Sequence, residues 1–226
     1  MTQPLSEFDE ALTPAPLSLE ADGFEVRGLF ATPFVYAPIS TPSPLNAALT
    51  RIILDRADRV EGVALSNVGG WQSADDFGEW SGEPGRRLLD LARKLADGVT
   101  GTMQGGQFVR GAPEWKINAW ANVNRAGDLN QAHHHPGAFW SGVYWVAADP
   151  RAEGGQFEAY DPRGVMPTLY APQLRFGLPG FLAAGGSDFI VPKAGVMVLF
   201  PAWLQHAVRA HTGAEPRISV AFNLCV

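Results

Sequence analysis

Cysteine is almost missing: Cys225 is the single one in 226 residues. That excludes a disulfide framework and any cysteine-based zinc finger. Basic residues are outnumbered, 17 Lys and Arg against 23 Asp and Glu, and the net charge of −6 leaves no basic footprint for nucleic acid. No apolar run reaches the roughly 18 to 20 residues that a membrane span needs. The N-terminal stretch MTQPLSEFDEALTP has neither a basic n-region nor an apolar h-region, so no signal peptide is expected. No GxSxG elbow and no glycine-rich phosphate loop stands out. These absences point to a cytoplasmic protein with neither nucleic acid nor membrane as partner. Histidine is scarce too, with five in all, and three of them are consecutive: His133, His134 and His135.

What is present is an ordinary apolar fraction of 46 %, 25 glycines, 18 prolines and seven tryptophans. That mixture suits short strands and turns better than a helical bundle. Residues 1–23 carry scattered prolines and acids without periodicity and read as a mobile tail. Residues 24–226 read as one domain. Phe24–Tyr36 could supply a first strand. Pro44–Glu61 and Pro84–Val99 have helical spacing of apolar residues, with Leu45, Leu49, Ile52 and Ile53 on one stripe and Leu88, Leu91, Ala92 and Leu95 on the other. Between them lies a loop rich in Gly and Trp, Ser66–Gly82. Helical support therefore spans about 44–100. From about 101 onward short alternating segments take over: Trp115–Asn124, Phe139–Ala148, Gln156–Tyr160, Gly195–Phe200 and Arg217–Val226, separated by turn signals. The expected fold is mainly β with flanking helices, built on a jelly-roll core.

The histidines carry the first chemical signal. In an extended strand residues i and i+2 share a side, so His133 and His135 can chelate one ion while His134 points away. His206, just after the apolar run Gly195–Phe200, is the candidate third ligand. Neutral imidazole suits iron, zinc, copper or nickel. A surface run of histidines without metal is the bland alternative. The last segment alternates Arg217, Ser219, Ala221, Asn223 and Cys225 with Ile218, Val220, Phe222, Leu224 and Val226. If the first set lined an interior, Arg217 would be a buried cation in need of an anion, which a carboxylate ligand would supply with help from Ser219. If that face met solvent, Arg217 would be an ordinary surface charge. Asn118, Trp120, Asn122 and Asn124 share one face in the same way, and asparagine is depleted in strands. A polar cavity floor or a solvated sheet face accounts for them equally. Cys225 reads as a small core thiol.

His-x-His followed by a distant His, then Arg eleven residues later and Ser two beyond it, resembles the iron(II)- and 2-oxoglutarate-dependent oxygenases. More closely, the blocks LFATPF, SNVGGWQS, NAWANVN, HHHPGAFWSGVYWV, FEAYDPR, VLFPAWLQHAV and RISVAFN resemble the 2OG-Fe(II) oxygenase family typified by small bacterial and phage proteins, over about residues 28–223. The resemblance implies a double-stranded β-helix and Fe(II) held by His133, His135 and His206. It implies 2-oxoglutarate as cosubstrate, its distal carboxylate on Arg217 and Ser219 with help from Tyr144. Trp120, Asn122 and Trp140 would form the pocket wall, with Asn118 and Asn223 beside them. The reaction implied is hydroxylase-type C–H oxidation of a small-molecule or peptide substrate with O2, releasing succinate and CO2. One departure stands out: the wider superfamily has His-x-Asp or His-x-Glu, and here the second position is His135. Asp128 and Glu153 are the nearby carboxylates that could substitute. Two other classes compete. One is a cupin-type three-histidine dioxygenase without 2-oxoglutarate, and the other is a non-catalytic metal- or ligand-binding β-sandwich. Sheet edges and tryptophans make a homodimer reasonable.

Overall fold

The β-rich half folds into two antiparallel sheets facing one another, as its alternation predicts. The computed structural model describes residues 30–111, 114–149, 151–164, 171–174 and 186–226. The chain divides into two units, Met1–Ala31 and Thr32–Val226, and the helices and strands of the described residues all belong to the second. The tail expected over 1–23, and most of the first strand expected from Phe24, lie outside the described residues. The strand found near that position is β1, Val35–Pro38.

Helix α1 spans Ser43–Arg59 and α3 spans Gly82–Val99, close to expectation. Prolines in their first turns cost nothing, because those N–H groups have no intrahelical acceptor. The intervening loop is less irregular than its composition suggests. It holds β2 (Asn67–Val68), β3 (Trp71–Gln72) and the short α2 (Phe77–Trp80). Then come a hairpin, β4 (Gly101–Gln104) and β5 (Gln107–Arg110), and the strands of the core. These are β6 (Lys116–Asn124), β7 (Leu129–His133), β8 (Trp140–Ala147), β9 (Phe157–Tyr160), β10 (Ser187–Ile190), β11 (Val196–Pro201), β12 (His206–Val208) and β13 (Arg217–Cys225).

The major sheet runs β1-β11-β8-β13-β6-β3 and the minor sheet β10-β9-β12-β7-β2. Strand β13 is central, paired along its length with β6 on one side and β8 on the other. The period-2 rule then divides its residues between two cores. Ile218, Val220, Phe222 and Leu224 face the helices and pack with Leu49, Ile53, Leu88 and Ala92. The odd-numbered residues face the minor sheet. That interior holds a second apolar cluster of Trp145, Phe157, Val196, Val198, Phe200 and Leu204. Gly142 on β8 has a packing reason: a Cβ there would lie 2.3 Å from the Phe222 ring and 2.7 Å from the Val198 carbonyl. Cys225, at the end of β13, is half-buried rather than part of the core. No helix among the described residues is long and apolar enough to cross a membrane.

Candidate functional site

Three short elements bring the histidines together. His133 ends β7 and pairs with His206, the first residue of β12. His135 lies past the end of β7, and its N–H donates to the Ala202 carbonyl at 2.9 Å. The shared side of His133 and His135 therefore comes from a strand end plus an anchored turn, not from one continuous strand. The potential ligand atoms of His133, His135 and His206 all lie within 4.8 Å of one another. The His133 and His206 ring centroids are 4.4 Å apart, and His135 stands 4.9 and 5.2 Å from them. His134 is exposed and lines the rim of the same cleft without joining the triad.

The tautomers are set by the backbone. The Nδ1–H of His206 donates to the Leu204 carbonyl at 2.9 Å, and that of His133 to Gln131 at 2.7 Å. Each bond leaves the Nε2 lone pair free, as when a backbone carbonyl orients a metal-ligating histidine. Burial, reinforced by the neighbouring imidazoles, pushes the His206 pKa down to about 3 and that of His135 to about 4. His133 moves in the same direction, chiefly through burial. Three neutral, converging nitrogens are a donor set that fits a divalent metal. Neither Asp128 nor Glu153 joins them among the described residues. The Asp128 carboxylate instead accepts the Arg125 N–H at 2.6 Å.

An open cleft of about 770 Å³ lies over the triad, lined by His133, His135, Trp120, Asn118, Asn223 and Gln72 among others. The Trp120 ring stands 5.6 Å from His135. Asn223 accepts a hydrogen bond from Ser141 Oγ at 2.7 Å. The interior wall of the major sheet descends from this cleft in rows fixed by register. Trp120 faces Ala221 and Val143, Asn122 faces Ser219 and Trp145, and Asn124 faces Arg217. Same-face rows are about 7 Å apart, so Arg217 starts about 13 Å below the Trp120 row. Its side chain turns back toward the cleft, donating from Nη1 to Ser219 Oγ at 3.1 Å and to Asn124 Oδ1 at 3.3 Å, and from Nε to the Gly155 carbonyl at 3.1 Å.

Arg217 is 2 % exposed, and no carboxylate among the described residues pairs with it. Burial alone pulls its pKa down to about 10, so it stays a cation at neutral pH. A buried, unpaired guanidinium costs several kcal/mol, on the order of the penalty for any desolvated ion. Gly155 packs closely against it. With φ at +77°, a Cβ there would fall 3.1 Å from both Arg217 Cδ and His211 Nδ1. A buried cation without a carboxylate partner among the described residues fits the anionic end of a carboxylate ligand.

Two expected residues face elsewhere. Tyr144 points into the helix-facing core, where its hydroxyl donates to Asn46 Oδ1, and burial raises its pKa to about 12. Trp140 points the same way and donates from Nε1 to Thr100 Oγ1 at 2.9 Å. Both have the wrong parity on β8 for the interior. Asn122 is buried in the wall, one row below Trp120, and does not line the open cleft. Sequence reading passed over Trp145, fully buried on the interior face opposite Ser219, and gave His211 no role. His211 is 2 % exposed. Its Nε2–H donates to the Glu215 carbonyl at 2.8 Å, and Nδ1 has no partner.

Residues 118–223 match the family described as "Putative 2OG-Fe(II) oxygenase", a span that contains the three histidines, Arg217 and Ser219. Over those 106 of its 226 residues the chain is similar to the 2OG-Fe(II) oxygenase family. No curated protein matches its sequence. Solved structures of 2OG-Fe(II) oxygenases share its fold. A Pseudomonas putida prolyl-4-hydroxylase superposes with a TM-score of 0.56 at 15 % identity, covering 85 % of this chain and 91 % of that one. A Trichoplax adhaerens prolyl hydroxylase, in complex with a hypoxia-inducible-factor peptide fragment, gives 0.58 at 12 % identity, with coverage of 85 % and 83 %. HygX from Streptomyces hygroscopicus, solved with nickel and 2-oxoglutarate bound, gives 0.53 at 13 % identity, with coverage of 86 % and 83 %. At these identities the likeness is one of fold. The jelly roll expected from the sequence is the fold observed.

Proposed function

We propose that this protein is an iron(II)- and 2-oxoglutarate-dependent oxygenase in which His133, His135 and His206 hold the metal and Arg217 and Ser219 hold the distal carboxylate of 2-oxoglutarate. The observation that carries the assignment is a set of nitrogen donors at the minor sheet and a buried cation on the major sheet, both facing one interior. Three neutral imidazoles converge, and a buried guanidinium two rows below Trp120 pairs with no carboxylate among the described residues. A dicarboxylate spanning the two would complete both. Iron, when bound with 2-oxoglutarate, supplies the oxygen chemistry: one atom of O2 goes to the substrate C–H and the other to succinate, with loss of CO2.

The chain's own residues do the rest. Leu204 and Gln131 carbonyls keep the Nε2 atoms of His206 and His133 aimed at the metal. Phe157 stacks on His206 at 4.9 Å and Phe200 meets it edge-on at 4.8 Å, which excludes water from that flank. Three neutral ligands would leave the +2 charge of a bound metal in place, and 2-oxoglutarate would bring one carboxylate charge to it and the other to Arg217. The cleft above the triad offers amides at Asn118, Gln72 and Asn223 and the Trp120 ring to a peptide or small-molecule substrate. The prolyl hydroxylase solved with a peptide and HygX solved with hygromycin B are examples of each kind. The net charge of −6 and the single cysteine support a cytoplasmic enzyme without a nucleic-acid partner. The three-histidine set also suits a cupin-type dioxygenase, but that reading leaves Arg217 with no task.

The test is iron-dependent succinate release from 2-oxoglutarate by the purified protein. His206→Ala should abolish it together with metal binding. Arg217→Ala should keep the metal and weaken 2-oxoglutarate binding at least tenfold. Unchanged 2-oxoglutarate affinity in Arg217→Ala would sink the assignment.

A further inference from the structure

Below the cleft, the interior wall holds one hydrogen-bond donor that nothing among the described residues uses. Trp145 is 0 % exposed, and its Nε1–H is buried without an acceptor. The other buried indole on the same strand, Trp140, has its N–H satisfied by Thr100. Trp115 is likewise satisfied, by Asp97 at 2.9 Å. A buried donor left unmatched is rare, because desolvation is then uncompensated. Trp145 lies directly across from Ser219 in the β8–β13 register, on the interior face. The hydroxyl of Ser219 already accepts from Arg217 Nη1. The row thus gathers a guanidinium without an anion, a hydroxyl and an unspent indole N–H, all facing one interior.

We infer that the Trp145 indole N–H is a donor to the distal carboxylate of 2-oxoglutarate, sharing that carboxylate with Arg217 and Ser219. The inference rests on the proposed function and adds a third contact to it. Two carboxylate oxygens have lone pairs enough for a guanidinium, a hydroxyl and an indole together. The bond would also make the subsite selective. An N–H with no other acceptor discriminates against an oxo acid that lacks the second carboxylate, because the donor is then left buried and bare.

Trp145→Phe keeps an aromatic ring and removes the N–H together with part of the bulk, so the comparison between two ligands separates the two effects. The test measures calorimetric dissociation constants on anaerobic Fe(II)-loaded protein for 2-oxoglutarate and for 2-oxobutyrate, which shares the metal-chelating end and lacks the distal carboxylate. A hydrogen bond to a charged group corresponds to about tenfold to hundredfold in affinity. Trp145→Phe should lose that much for 2-oxoglutarate and stay within about twofold for 2-oxobutyrate. Arg217→Ala runs alongside. If Arg217→Ala loses 2-oxoglutarate selectively and Trp145→Phe does not, the indole assignment fails and the oxygenase assignment stands. If neither variant loses it, both fail. Equal losses for the two acids in Trp145→Phe would also overturn the indole contact, since packing alone would then explain them. The wild-type protein provides a readout free of any folding defect. In its Zn(II)-loaded form, the assigned Trp145 indole proton should shift downfield with 2-oxoglutarate and not with 2-oxobutyrate. An unmoved resonance at saturation overturns the contact.

Discussion

His206 shows how a single residue can be costly in one state and useful in another. Burial and three neighbouring imidazoles hold its pKa down at about 3, and that of His135 at about 4, against about 6.5 in an unfolded chain. Above pH 6.5 these rings are neutral in both states, and the metal-free fold carries no proton penalty. As pH falls from 6.5 toward the folded values, the unfolded chain takes up protons that the folded chain refuses. Stability is therefore present above the unfolded pKa and is lost progressively on acidification. Denaturant titrations of the metal-free protein between pH 7.5 and 4 should show this loss. His206→Gln, which lacks the most depressed group, should lose less over the same range. Parallel curves would mean that the burial of His206 is not what makes the fold acid-sensitive. The same depression helps ligation, because protons compete poorly for the ring nitrogens at neutral pH.

At the scale of the element, strand β8 is where sequence and structure part. Tyr144→Phe should lower stability by about 1 kcal/mol through the lost bond to Asn46, and should leave 2-oxoglutarate affinity unchanged. A selective loss of 2-oxoglutarate binding in that variant would return Tyr144 to the site. The parity of β13 was legible because its two faces differ in kind: Arg217, Ser219 and Asn223 against Ile218, Val220 and Phe222. The buried Asn122 and Asn124 of β6 were legible for the same reason, and their burial removes the solvated-face reading. Strand β8 offers no such contrast. Trp140 and Tyr144 on one face and Val143 and Trp145 on the other are all large or apolar, since both faces meet a core. Only pairing with β13 decides which face meets the interior, and pairing is a long-range fact. Strands β7 and β12 stayed hidden because they are five and three residues long and carry the site's polar groups. The histidines could still be found through their spacing and the resemblance it carries, without either strand.

For the whole molecule, the decisive arrangement is one sheet shared by two cores. The helix-facing core supports the fold, and the interior core also supports the site. Leu88→Ala, in the first, should cost about 2–5 kcal/mol and leave metal affinity as it was. Phe200→Ala, in the second, should cost about 3–5 kcal/mol and weaken the metal as well, because its ring meets His206 edge-on at 4.8 Å. Urea unfolding of metal-free protein and metal titration of folded protein measure the two quantities separately. Equal effects of both substitutions on metal affinity would show that the two cores are not energetically distinct.

Strand β13 writes two messages in alternate letters, the proposed anion recognition in the odd positions and architecture in the even ones. Substitutions at either set can drift independently, since neighbours in sequence look into different cores. A single inserted or deleted residue has no such freedom. It would carry Ile218 into the carboxylate subsite and Arg217 into the apolar layer beneath the helices, so that one slip of the reading frame along the strand erases both messages together.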